Sequence, residues 1–63
     1  MPPSYAERQR GYKLGLRDGR ACRRLEPAHV AEQCYDGARI IARKSSDRSR
    51  RSYFLGFARG VRA

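Results

Sequence analysis

The chain has 63 residues, 33% of them charged against 40% hydrophobic, which bounds it to one small domain with a small core and excludes an enzyme built from separate substrate and cofactor domains. Fifteen Lys+Arg against six Asp+Glu give a formal charge of +9, one net positive charge for every seven residues, so a polyanion is the expected partner. Thirteen of the fifteen cations are arginine, whose planar fork binds phosphate bidentately and stacks on bases.

Met1, Pro2 and Pro3 lead into Ser4, with Glu7 three residues on, the spacing of a capping box, and this predicts a helix from Tyr5 to about Arg24. Glu26-Pro27 interrupts it, because a residue before proline is pushed out of the helical region while proline suits a first turn. A second helix is expected from Pro27 to near Lys44, with Val30, Ala31, Cys34, Tyr35, Ala38, Ile41 and Ala42 at spacings of three and four and Gly37 as its weak point. Ser45-Ser46-Asp47 offers a polar turn and an N-cap, so Arg48 to about Arg62 reads as a third helix burying Phe54, Phe57, Ala58 and Val61. No segment alternates with strand period. The expected fold is therefore all-α, a small bundle of two to three short helices in a single domain over residues 1–63.

The first and third helices carry a weak repeat. Tyr12-Lys13-Leu14-Gly15-Leu16-Arg17-Asp18-Gly19 and Tyr53-Phe54-Leu55-Gly56-Phe57-Ala58-Arg59-Gly60 both read Tyr-x-Leu-Gly-x-x-x-Gly. An interior glycine costs about 1 kcal/mol relative to alanine, so four of them need a compensating reason. Glycines four apart share one helix face, and such a flat strip suits close packing on another helix or on an RNA backbone. Gly15, Gly19, Gly56 and Gly60 are the expected packing positions, with Phe54 and Phe57 beside them.

No active site is expected. A chain with so little core can hardly enclose a dry pocket, His29 stands alone, and Asp18, Asp36 and Asp47 match no metal loop and sit among arginines. Cys22, Cys34 and His29 lack paired zinc-ligand spacing, so neither a metal nor a cofactor is expected. The two cysteines are read as reduced thiols, and no apolar run can be drawn as a signal peptide or membrane span, which gives a cytoplasmic reading with no membrane partner. What remains is arginine interleaved with tyrosine: Arg8, Arg10, Tyr12, Lys13, Arg17 and Arg20 on the first helix, Arg50, Arg51, Tyr53 and Arg59 on the third. Cations neutralise phosphates and aromatic rings stack on unpaired bases, so these are the candidate RNA-binding residues. Tyr12 and Tyr53 would serve equally well as core.

At these two segments the sequence resembles the bacterial ribosome modulation factor family. Gln9-Arg10-Gly11-Tyr12-Lys13-Leu14-Gly15 is similar to its opening Gly-Tyr-x-x-Gly element, and Arg51-Ser52-Tyr53-Phe54-Leu55-Gly56 to its closing Arg-x-x-Trp-Leu-x-Gly element. The resemblance implies a small helical protein that binds ribosomal RNA of the small subunit during stationary-phase stress, favours inactive paired ribosomes and silences translation without a catalytic step. The chain departs from the family at Phe54 and Ala58, where tryptophans are usual, and at Arg23, where Cys-Pro is usual. Residues 27–44 have no counterpart in the short family members and read as an added helix with its own partner. A second reading follows from that helix: a small basic module that binds an acidic protein surface, with Val30, Tyr35, Ile40 and Ile41 as anchors. So little apolar material also leaves room for self-association to complete the fold.

Overall fold

The computed structural model describes residues 4–63 as three helices without strands: α1 (Tyr5–Leu25), α2 (Ala28–Lys44) and α3 (Arg48–Arg62). Local chemistry sets their ends. The Ser4 hydroxyl accepts from the Glu7 amide at 3.2 Å, and Glu26 takes an extended conformation (φ −103°, ψ 153°) ahead of Pro27, closing α1. Pro27 is the N-cap of α2, so the helix proper starts one residue later than the proline. The Asp47 carboxylate accepts from the Ser49 and Arg50 amides at 2.9 and 3.4 Å and opens α3.

α3 lies between the other two helices, packed most extensively on α1 and also on α2, while α1 and α2 barely touch beyond their shared corner. The result is an open layer of helices with extents of 39 × 20 × 12 Å. α1 and α3 run parallel, and their glycines make the contact. A Cβ built on Gly15 would overlap the Tyr53 carbonyl oxygen and reach 2.9 Å from the Phe57 nitrogen, and one on Gly56 would overlap the Tyr12 carbonyl oxygen and reach 3.1 Å from the Leu16 nitrogen. Gly19 and Gly60 face each other, each hypothetical Cβ lying 3.0 Å from the other's Cα. No glycine has positive φ, so these positions require glycine for want of a side chain and not for backbone freedom.

The contacts are reciprocal. Each residue of the α1 set has its α3 counterpart 41 positions on, Tyr12 to Tyr53, Gly15 to Gly56, Leu16 to Phe57 and Gly19 to Gly60, and the partners exchange roles. The repeat therefore builds a pair of helices related by a pseudo-two-fold axis along their length.

The α2 side of α3 is closed by Ala31, Ala38 and Ala42 against Ala58 and Val61, with Val61 fully buried. Phe54 and Phe57, expected inside, are only half buried. Phe54 packs edge-on against Tyr53 at 5.1 Å between ring centroids, with the Arg50 guanidinium 5.8 Å from the centroid of the Phe54 ring. The reason is the close approach itself: where backbones touch through glycine and alanine, no gap remains for a phenyl ring, and the rings lie along the margin of the contact. Cys22 and Cys34 are free, half-buried thiols. Burial pushes the Cys22 thiol up, reinforced by the neighbouring Cys34 and by Glu26.

Candidate nucleic-acid interface

The helix layer carries shallow depressions that adjoin through shared residues. One, of about 370 Å³, is lined by Tyr5, Arg8, Gln9, Tyr12 and Ser52. Tyr12 also borders a larger one of about 570 Å³, where Leu16, Arg20, Arg59, Arg62 and Ala63 form the remaining wall. Arg59 and Arg62 continue into a third with Tyr35, Arg39, Leu55 and Ala58. Arg39 and Leu55 lead on to Ala42, Arg43 and Arg51. Among the described residues, no Asp or Glu side chain lines any of these four depressions. All three helices contribute to one continuous surface of arginine and tyrosine.

Its arginines differ in freedom. Arg62 pairs with Glu32 and lies 4.0 Å above the Tyr35 ring, while Arg39 approaches the same ring at 5.7 Å and donates to the Tyr35 hydroxyl at 3.2 Å. Arg51 donates to the Ser45 carbonyl at 2.8 Å, which ties α3 to the α2–α3 turn. Arg20 and Arg59 are exposed. Arg8 is half buried, and its Nε is enclosed without a hydrogen-bond partner.

The candidate RNA-binding residues therefore divide. Arg8, Tyr12, Arg20, Arg51 and Arg59 line the continuous surface. Arg10, Lys13, Arg17 and Arg50 are exposed outside those depressions, with Arg17 3.6 Å from Asp18. Tyr53 lies elsewhere as well: its hydroxyl donates to Asp18 at 2.5 Å, across the α1–α3 contact. Its phenol is pushed up from its ordinary value, first by that hydrogen bond, then by burial and by the Asp18 charge, with Arg17 opposing. A ring held this way contributes to helix packing and is not free to turn onto a base.

Arg39 and Arg43 of α2 stand outside the candidate set and line the surface beside Arg62 at the end of α3. Arg39, Arg43 and Arg62 join the surface because α2 lies antiparallel beside α3, as the Arg62–Glu32 pair at one end and the Arg51–Ser45 bond at the other record. Their spacing carried a signal: Arg39 and Arg43 are four apart, as are Arg51 and Leu55, and Arg59 and Arg62 three. Nothing local tells that the two rows meet. One further contact fixes the frame, an Arg23 guanidinium donating to the Val61 carbonyl at 3.1 Å, which satisfies a C-terminal carbonyl of α3 from the end of α1.

No helix is long and apolar enough to cross a membrane, and no group of three or more metal-ligating side chains occurs among the described residues. No family model, no curated protein and no solved structure matches the chain.

Proposed function

We propose that the protein binds RNA through its arginine- and tyrosine-bearing concave surface and acts by occupancy and electrostatics, with no catalytic step. The observation that carries this reading is the continuity of that surface across three helices without a lining carboxylate. Apart from Arg62, which pairs with Glu32, the clustered guanidiniums make no ion pair within the surface and keep their capacity for phosphate, and half-buried tyrosines among them offer faces to unpaired bases.

The resemblance to ribosome modulation factor extends the proposal to ribosomal RNA, with translation silenced by occupation of the small subunit in the cytoplasm. The resembling elements, Gln9 to Gly15 and Arg51 to Gly56, contain Tyr12, Gly15, Tyr53 and Gly56, whose backbones pack α1 against α3. Support from the resemblance thus bears first on a shared helix pair, and support for RNA contact comes from the arginines around it.

The test is twofold. Sedimentation of a lysate is expected to bring the protein down with ribosomal fractions and to release it at high salt. Fluorescence anisotropy against RNA is expected to give log affinity falling linearly with log salt, by about 0.7 to 0.9 per phosphate contacted. Binding that survives high salt and weakens on Ile40→Ala, a residue 47% exposed on α2, would instead favour an apolar protein partner.

A further inference from the structure

The pseudo-two-fold pair has two edges, and they are not chemically alike. At one edge the Tyr53 hydroxyl donates to Asp18, so a phenol and a carboxylate satisfy each other inside the protein. The rotation that carries Tyr53 onto Tyr12 carries Asp18 onto Arg59 and Phe57 onto Leu16, since each pair is separated by the same 41 positions. At the second edge Tyr12 and Leu16 therefore meet Arg59 where the first has an acid, and Arg20 and Arg62 border the same 570 Å³ depression. The first edge carries its own anion. The second replaces that anion with a cation and leaves a phenol and exposed guanidiniums around an open concavity.

We propose that this second edge is a phosphodiester subsite for single-stranded RNA, with Arg20 and Arg59 on the phosphate and the Tyr12 ring against the adjoining base. The proposal rests on the RNA-binding reading above and narrows it to one place. Planar guanidiniums from two helices suit a phosphate oxygen pair, and a tyrosine ring beside them suits the base of a strand that is not paired. Arg62, already paired with Glu32, forms the rim. The equivalent of Arg20 on α3 is Val61, which α2 buries. The site thus exists only on the edge that α2 does not alter in this way.

Arg59→Asp gives the second edge the same residue type as the first, and Arg48→Asp removes the same formal charge at the exposed start of α3. Both are titrated by anisotropy with a short fluorescein-labelled single-stranded RNA of mixed sequence. Arg59→Asp is expected to bind about 10- to 100-fold more weakly than Arg48→Asp, as befits loss of a charge-assisted contact, with a salt slope shallower by about 0.7. Arg59→Gln, which cannot introduce repulsion, should lose about 10-fold and covers the case in which Arg59→Asp folds poorly. Equal losses for Arg59 and Arg48 variants would overturn the subsite while leaving RNA binding standing. A wild-type protein with no salt-dependent RNA affinity would overturn both. Duplex RNA competing as well as the single strand would overturn the stacking role of Tyr12.

Discussion

α1 and α3 carry the same eight-residue pattern and occupy equivalent places in a pseudo-symmetric pair, yet α3 buries Gly56, Ala58, Gly60 and Val61 whereas α1 buries only Gly15 and Gly19. The difference is α2. It covers the α3 face bearing Ala58 and Val61, and leaves their counterparts on α1, Arg17 and Arg20, in solvent. Two copies of one helix pattern have thus been assigned different work, one to the core and one to the basic surface, and the residues that differ between the copies are those that distinguish these roles.

The shared part of the comparison is the most sensitive to change. Gly56→Leu places a side chain into the Tyr12 carbonyl and next to Leu16, where backbone and not a flexible side chain must yield. A loss of about 3 kcal/mol, at the upper end of overpacking costs, is expected in denaturant titration followed by circular dichroism. A variant at least as stable as the parent would show that the pair is not held by backbone contact.

The divergent part comes next. Val61→Ala removes methyl groups from a fully buried position and should cost about 2 kcal/mol. Arg20→Ala, its counterpart on α1, is exposed and should stay within about 0.5 kcal/mol of the parent while weakening RNA binding. Comparable destabilisation by both would mean that α1 has a covered outer face too.

The two tyrosines sharpen the contrast between the edges. Tyr53→Phe breaks the bond to Asp18 and should cost about 1 kcal/mol, whereas Tyr12→Phe, whose hydroxyl makes no such bond across the pair, should cost less. Because the Tyr53 phenol is raised in the folded protein, its contribution is present in full below the ordinary tyrosine value of about 10 and is lost as pH rises through the folded value. The difference in melting temperature between parent and Tyr53→Phe should therefore be constant near neutrality and shrink in alkali. A difference that grew in alkali would contradict the bond.

A gain in stability is expected where the comparison does not reach. A Cβ on Gly37, in the middle of α2, meets nothing within 4 Å, so Gly37→Ala should stabilise the protein by about 0.8 kcal/mol through helix propensity alone. The same substitution at Gly15 should destabilise it, and equal responses at the two positions would remove the distinction between contact glycine and idle glycine.

Much of this architecture was legible in the chain because it is decided over three or four residues. Ser4 and Glu7, Glu26-Pro27 and Asp47 fix helix ends through bonds and steric limits that reach no further than the next turn. Charge, too, is a sum over residues, and the Tyr-x-Leu-Gly-x-x-x-Gly repeat is visible without coordinates. The contacts of helical glycines had no such local signature. The repeat sets Gly15 apart from Gly37, but which backbone each would meet, Tyr53 and Phe57 for the first and nothing for the second, is decided only by the packing. For the same reason Phe54 and Phe57 ended half buried while alanines filled the core: hydrophobicity says that a residue gains from burial, but the distance between two backbones decides which side chains fit. Tyr12 and Tyr53 were interchangeable on paper until parallel packing set one against Asp18 and the other beside Arg59. The sequence by itself determined three helices with side-chain caps at the start of the first and third, the repeat those two share and the excess of arginine. Tertiary structure alone decided which backbone atoms the bare glycines meet, which tyrosine is spent on packing, and which arginines from three helices meet, because each of those depends on contacts between residues about 20 to 40 positions apart.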